Sequence, residues 1–465
     1  MKKRILPILV LSVLALGCSA RASAKSVPLN GKVFPDKVVQ QKLKKWDKNR
    51  DGRLSGKELK KIRKLDFEAK QTSKRAVKFT YKSLNCKGLD KLTSLKSLSV
   101  TRGYRIRNLT SDSLKILNVD QYSLSKLNVS KIPNLEEFYV KTVAEFEDAC
   151  DTAYRAVKNP LTDLSDLPNL RKLDYGYTED ERDVIVNISQ NTKLESVRIE
   201  GCVQDFDGTG FTELKSLDLR DAKGTVNLSS QSKLEDLFCS GWDVTVTLPT
   251  QSVLETCRLD RVNGVDLSNQ TELTTLSLLA VDLYSDLSQN TQLEYFSFDY
   301  GKLAKNIDLT NKPWLKTVYI TAVVDVNIDL AQNTCLETLY LHGITIGKFV
   351  MPENDPGLKH LQIEECNIPE VNLNGCPNIE TIILSCNGIL TNCFLMPKIT
   401  AGNLLKLKYV SLRGSKMAVC KEYSIADFDI SIASNLKNLW VEYLPNYQFD
   451  ISWFPKIEDW GRRGE

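Results

Sequence analysis

Histidine is nearly missing from this chain: His342 and His360 are the only two among 465 residues. That scarcity excludes a histidine-rich metal site, and neither residue lies in a serine or cysteine nucleophile motif. Cysteine occurs twelve times, but never in the C-x-x-C spacing of a zinc ribbon or dithiol centre, and too sparsely for a disulfide scaffold. With Cys18 set aside eleven remain, so a monomer leaves at least one unpaired. Cys239 and Cys257 fall where a strand wants an apolar residue and read as small core side chains. A disulfide between Cys386 and Cys393 stays open. No apolar run reaches the roughly 18 to 20 residues of a membrane-spanning helix.

Charge is not one-sided overall, since 62 Lys and Arg meet 58 Asp and Glu for a formal +4. Locally it is. Residues 25–75 hold 17 basic against 6 acidic side chains, a net +11, and residues 1–24 add +4, so residues 76–465 must sum to −11. The basic arm has no interleaved aromatic platform, which argues against nucleic acid as a partner. It suits an anionic lipid or wall-polymer surface, or simply the solvated faces of two short helices.

Residues 1–17 read as an export signal, a basic Met1-Lys-Lys-Arg followed by 13 apolar-rich residues. Two cleavage readings compete. Leu14-Ala15-Leu16-Gly17-Cys18 resembles a bacterial lipobox, which implies lipidation of Cys18 and a membrane anchor. Ala22-Ser23-Ala24 is an A-x-A site, which would release a secreted chain beginning at Lys25.

What the chain has in abundance is a period. Leu254-x-x-Cys257-x-Leu259 is respelled as Leu273-x-x-Leu276-x-Leu278, Leu293-x-x-Phe296-x-Phe298 and Leu315-x-x-Val318-x-Ile320. A second phrase, Asp266-Leu-Ser-Asn, Asp286-Leu-Ser-Gln and Asp308-Leu-Thr-Asn, precedes each of the last three. The leading aliphatic residue recurs at 95, 114, 135, 170, 194, 214, 234, 254, 273, 293, 315, 336, 358, 379, 407, 436 and 457, giving 17 units with most steps of 19 to 24 residues. A fixed period in this range means a solenoid. The fourth and sixth positions alternate inward and the third, fifth and seventh outward, so each unit offers one short strand and stacked units make a parallel sheet. A strand and two turns leave room for about one helical turn per unit. The Asp-Leu-Ser phrase is therefore expected to be a second extended segment, burying Leu228, Leu248, Leu267, Leu287, Leu309, Leu330 and Leu373.

On these phrases, over about residues 84–460, the chain resembles the leucine-rich repeat family, in particular bacterial surface proteins in which "dLsxNtxL" alternates with "LxxLxC". The resemblance implies a mostly β solenoid of about 17 short repeats, with strands roughly 4.8 Å apart and a concave sheet about 80 Å along its arc. It also implies a non-enzymatic cell-surface protein that binds a protein or glycan. The alternatives are a structural envelope component and, less favoured, an enzyme acting on surface polymers. Some leucine-rich repeat effectors carry a separate catalytic domain, whereas here the repeats run to within a few residues of Glu465.

Ahead of the repeats, residues 47–58 resemble an EF-hand loop. Oxygen side chains stand at Asp47, Asn49, Asp51 and Ser55, Gly52 takes the sharp turn, Leu54 is apolar, and Glu58 closes the loop. The resemblance implies one Ca²⁺ held by Asp47, Asn49, Asp51, the Arg53 carbonyl, Ser55 or its water, and Glu58. Lys48, Arg50, Arg53 and Lys57 oppose the carboxylates, which places affinity in the about 10⁻⁴ to 10⁻³ M range of extracellular modules. Val39, Leu43 and Trp46 suggest an incoming helix, Leu59 and Ile62 an outgoing one. The expected division is residues 1–24 as signal peptide, 25–75 as a basic, α-helical EF-hand-like cap, and 76–465 as solenoid.

The period breaks twice: a helix is expected over 145–158, and two long inserts lie between Leu384 and Leu436. The N-x-[ST] sequons at Asn108, Asn128, Asn187 and Asn227 belong to the turn phrase itself. Aligned by column, the early units carry Arg198 against Asp218 and Glu200 against Arg220, a cross-strand charge pattern. Later units gather Tyr295, Tyr319, Tyr340, His342 and His360 as a low-charge aromatic patch, the candidate ligand face. Tyrosine is common in strands anyway, so ordinary sheet composition is the competing reading.

Overall fold

The computed structural model describes residues 26–68, 82–142, 161–176, 185–303, 307–324, 326–386, 396–414, 428–444 and 447–463. The helix expected over 145–158, and Cys18, Cys393 and Cys420, lie outside these residues.

Each unit turns its phrases into the same devices. In the strands Thr275–Leu279, Tyr295–Asp299, Thr317–Thr321 and Thr338–His342 the second and fourth residues are buried and the others face out. Pairing is parallel and in register, so Leu276, Phe296, Val318 and Leu339 form one buried row. The residue before each strand fixes that register, because its carbonyl accepts two N–H groups of the next unit. Thr274 takes Glu294 N and Tyr295 N at 2.8 and 3.0 Å, and Glu294 takes Lys316 N and Thr317 N at 2.9 and 3.1 Å.

After the strand the chain turns on a residue in the left-handed region: Ala280 (φ 51°), Tyr300 (51°), Ala322 (50°), Gly343 (62°) or Glu365 (52°). That conformation costs an ordinary residue about 1–2 kcal/mol. It is held by the next unit, which receives Ala280 N on Asp299 O at 2.7 Å and Ala322 N on His342 O at 2.8 Å. The Asp-Leu-Ser phrase is a carboxylate-capped turn: Asp266, Asp286 and Asp308 each accept the N–H two residues on, at 2.9, 3.0 and 2.9 Å. Its leucine enters the core at Leu228, Leu267, Leu287, Leu309, Leu330 and Leu373, each at most 1% exposed, while Leu248 is only partly buried.

Eighteen parallel strands, from Lys64–Glu68 to Asp459–Arg463, bond in sequence order among the described residues. No register pair joins the last to the first, so the sheet is an open slab. The first of these strands, one more than the 17 expected, comes from the basic segment, where Ile62-x-x-Leu65-x-Phe67 spells the repeat and buries all three side chains. The residue after Ile62 supplies the register carbonyl, Arg63 O accepting Lys96 N and Ser97 N. Ile62 thus opens a repeat instead of ending a helix. The convex side carries short paired extended segments, and the longest helix among the described residues has eight.

That helix is α1 (Lys37–Lys44), capped by Asp36, whose Oδ1 accepts Val38 N at 2.8 Å. The other oxygen of Asp36 accepts Asn85 N at 2.9 Å, tying the helix to the first solenoid turns, and Val39 and Leu43 are buried.

A polar row runs inside the middle units, three residues before each leading leucine. Asn290 donates to Leu267 O and Gln270 O at 3.0 and 2.8 Å, and Asn333 to Leu309 O and Lys312 O at 2.9 and 3.1 Å. Lys312, wholly buried, reaches Leu287 O at 3.0 Å, and burial holds its ammonium below the usual lysine range. Asp355 takes the next place, also wholly buried, but an ionised carboxylate has no hydrogen to donate. Its Oδ1 accepts Gly357 N at 3.0 Å and its Oδ2 has no hydrogen-bond partner. Burial pushes this carboxyl up to about 6, against the pull of the Gly357 and Leu358 N–H groups. The titratable group facing it is the Cys376 thiol, which burial pushes up to about 12.

Because the folded value of Asp355 lies above the unfolded one of about 3.9, the neutral form stabilises the fold. That contribution is complete below about pH 4 and is lost as pH rises through about 6. Asp355→Asn supplies the missing donor and is expected to raise stability near neutral pH by up to about 3 kcal/mol. It should also flatten the pH dependence between about pH 4 and 6. Denaturant melts at stepped pH measure both effects.

Candidate functional site

The concave sheet divides into a charged half and an aromatic half. In the charged half Arg198 lies 3.4 Å from Asp218, 3.1 Å from Glu200 and 4.0 Å from Asp174. Arg220 reaches Asp218 at 3.0 Å, with its guanidinium 5.1 Å from the Phe238 ring centre. The cross-strand pairing of Arg198 with Asp218 is as expected, while Arg220 shares the same aspartate. These charges answer one another and leave little for a ligand.

In the aromatic half the rings form a column. Tyr295 and Tyr319 have ring centres 6.0 Å apart, Tyr319 and Tyr340 5.5 Å, and Tyr340 and His342 6.3 Å with planes at 18°. The in-register strands set this spacing, Tyr319 facing Tyr340 directly. Packing against each other half-buries the rings, so Tyr319 and Tyr340 are less solvent-facing than their strand positions alone suggest. Ser297, beside Tyr319 in register, is 5% exposed. Burial, and then the Glu364 carboxylate, hold the Tyr340 phenol above its usual range. His342 Nε2 lies 3.8 Å from Glu365.

His360 does not join the column. It faces Thr338, four residues along from His342, which faces Glu364. It stands by the charged edge, near Glu337 and Glu380, whose carboxyls are held below the usual range first by Lys359 and Lys408. At about 3.3 Å per residue the two histidines are too far apart to share a metal.

Across the four strands that follow the one carrying Tyr340 lies a recess that the column reading missed. It has about 270 Å³ and is lined by Glu364, Ile383, Ser385, Tyr409, Ser411, Arg413, Trp440 and Glu442, with Leu384 at its floor. The columns aligned from the sequence end before this point, because the long inserts between Leu384 and Leu436 break the spacing. Aligning on the second buried strand residue, Leu412 and Val441, would have carried them through.

The EF-hand-like loop is compact and inward-turned. Asp47 accepts Gly52 N at 3.0 Å and Asp51 N at 3.2 Å, and Asp51 accepts Arg53 N at 2.8 Å. Asn49 donates to Asp51 at 2.9 Å. Arg50 (φ 58°) and Gly52 (φ 76°) make the left-handed turn that lets the loop double back. Arg53–Leu54 pairs with Val27–Pro28, and α2 (Gly56–Leu59) follows, shorter than the expected outgoing helix. Glu58 accepts Lys48 N at 2.7 Å on one oxygen and both Ser55 N and Ser55 Oγ at 2.8 Å on the other. The Ser55 and Lys48 N–H groups hold its carboxyl below the usual range. The donors suit a hard cation in kind, all being oxygens. Among the described residues, however, no three His, Cys, Asp or Glu side chains stand close enough to hold a metal ion. Bidentate closure would require Glu58 to exchange its Ser55 and Lys48 contacts.

Cys239 and Cys257 are wholly buried, and burial pushes their thiols up to about 12, which fits small core side chains. No helix among the described residues is long and apolar enough to cross a membrane.

No family model matches the chain, and no curated protein does. Solved structures do resemble it at low identity. The functional domain of InlJ from Listeria monocytogenes is 18% identical with a TM-score of 0.47, over 90% of this chain and 76% of that one. A leucine-rich repeat protein of Leptospira interrogans is 15% identical with a TM-score of 0.49, over 75% and 96%. A plant peptide hormone receptor, RGFR1 in complex with RGF2, is 12% identical with a TM-score of 0.47, over 81% and 68%. The repeat fold of this chain stands on its own strand register and core.

Proposed function

We propose that this is a non-enzymatic recognition protein of the cell surface, which binds a protein ligand through the concave aromatic column. The observation that carries the reading is the run Tyr295, Tyr319, Tyr340 and His342, ring against ring on a rigid parallel sheet. Aromatic side chains offer large contact area at low entropy cost and dominate interfaces once desolvated. The sheet already holds these rings, so little ordering cost is left for binding. His360 enters the reading only at its charged margin.

A ligand recovered from mucosal extract on the whole mature chain, then titrated by calorimetry, tests this. Tyr319→Ala with Tyr340→Ala is expected to weaken binding by about 100-fold or more, at about 2 kcal/mol for a hot-spot ring. Melting should fall only slightly, since the rings are half-buried by each other and lie outside the core. Unimpaired binding by this double variant removes the column from the interface.

Calcium at residues 47–58 belongs to the same proposal as a structural ion, with Asp47, Asn49, Asp51, Arg53, Ser55 and Glu58 as its ligands. Support comes from the loop's oxygen donors and its Gly52 turn. Titration calorimetry should show one site at roughly millimolar or sub-millimolar affinity, lost in Glu58→Gln, and the melting temperature should rise with calcium. No heat at several millimolar calcium would retire the ion.

Anchoring through a lipidated Cys18 completes the proposal, with the basic segment facing an anionic surface. Mass spectrometry of the mature amino terminus decides between diacylglyceryl-Cys18, the expected result, and an unmodified start at Lys25.

A further inference from the structure

We propose that the recess near the C-terminal end of the concave sheet is a subsite for one neutral sugar ring. It is built where four strands, His360–Glu364, Thr381–Ser385, Tyr409–Arg413 and Asn438–Glu442, run in register. One row across them reads Gln362, Ile383, Ser411, Trp440 and the next reads Glu364, Ser385, Arg413, Glu442. The two serines are small among large neighbours, and the hollow of about 270 Å³ lies over them. Pockets that enclose a drug-sized ligand start at roughly 300 Å³, so this one takes a single ring or a single side chain.

The walls select the ring. On one side stand Trp440, Tyr409 and Ile383. The indole leans over Gly461 of the next strand, where an added Cβ would lie 2.4 Å from Trp440 Cζ3. Glycine at 461 thus leaves the indole its seat. A pyranose presents an apolar face of C–H groups to such a wall and equatorial hydroxyls around its edge.

The polar rim matches that edge with donors and acceptors together. Arg413 Nε lies 3.4 Å from Glu442, buried and without a hydrogen-bond partner, while the side chain as a whole is 43% exposed and lines the hollow, so it has donor capacity to offer there. Glu364 already accepts Gln362 Nε2 at 2.9 Å and keeps lone pairs for more. The lining carries two carboxylates, Glu364 and Glu442, against one guanidinium, Arg413, so an anion would have to displace Glu442 and face Glu364, and a cation would have to share the carboxylates with Arg413. Hydroxyls meet both groups without breaking the pair, as charge-assisted hydrogen bonds. Glu364 is shared, lining the recess and taking a hydrogen bond from Tyr340, but Trp440, Tyr409, Ser411 and Arg413 belong to the recess alone, and the sugar reading does not depend on the tyrosine column.

Saturation-transfer NMR on the whole mature chain tests this, with the methyl glycosides of glucose, galactose, mannose and N-acetylglucosamine at millimolar concentration. Ring protons of at least one should be saturated. The signal should fall at least tenfold in Trp440→Ala and in Ser411→Tyr, which fills the hollow without removing any contact. It should weaken in Gly461→Ala and persist in the Tyr319/Tyr340 double variant. Saturation of none of the four, or saturation untouched by both Trp440→Ala and Ser411→Tyr, overturns the proposal. So does binding confined to sialic acid or to a lysine-rich peptide, which would mark a site for ions.

Discussion

One unit of this chain cannot bury its own leucines, and everything else follows from that. A five-residue strand offers two inward side chains, and they are covered only when identical rows lie on either side. Stacking therefore has to be exact in register, and the backbone enforces it through the carbonyl ahead of each strand that takes two N–H groups from the next unit. Because that contact is made by main chain, it tolerates any side chain at its own position. The position is accordingly used for surface charge, alternating along the edge as Glu294–Lys316 at 2.7 Å, Glu337–Lys359 at 2.8 Å and Glu380–Lys408 at 2.8 Å. Exposed pairs of this kind are each worth at most about 1 kcal/mol. They shape the edge more than they hold it.

The fold was legible where side chains repeat and illegible where the repeat is carried by something else. Leucine spacing gave the strands and their inward positions correctly, but the Asp-Leu-Ser phrase expected to be extended is a turn, and the short extended segments end at it or just ahead of it. The spacing missed the first strand because Ile62, Leu65 and Phe67 are embedded in lysine and arginine, and composition pointed to a cap helix. Burial overrides composition there: Phe67 is 3% exposed although its strand neighbours are charged. The tyrosine column was legible because register turns sequence spacing into spatial adjacency. His360 was placed with it only because position along a strand was weighed less than adjacency of strands. The recess was not read, since it is made by the absence of bulk at Ser385 and Ser411 between larger neighbours on units of irregular length, which fall into column only when aligned on the second buried strand residue.

The polar row inside the solenoid shows how far one device can be stretched. Asparagine suits the place because its amide reaches two carbonyls of the preceding unit. Lysine at 312 keeps one of these contacts, at 3.0 Å, at the cost of a buried ammonium. Aspartate at 355 keeps the acceptor side of the turn and gives up the donor unless it is protonated. Toward both ends the same place is mostly apolar, as Leu92, Ile132, Leu404 and Phe454, all at most 1% exposed, with Ser111 the polar exception between the first two. An apolar residue there adds core and leaves the carbonyls to other donors, so the row is one local solution and the leucine register is the general one.

The concave face can specialise because the core behind it does not change. Outward positions are free of packing demands, and neighbouring strands bring them together in columns whatever they are. In the charged half this freedom has produced ion pairs that close on themselves, with Asp218 shared between Arg198 and Arg220. A ligand there would have to replace contacts of equal strength. In the aromatic half the rings pack mostly on one another and the sheet, with carboxylates only at Tyr340 and His342, and water is the main partner to be displaced, which favours association. The division between the two halves is therefore set by what each column would lose on binding, and the side with least to lose is the one bounded by Tyr295 and Trp440.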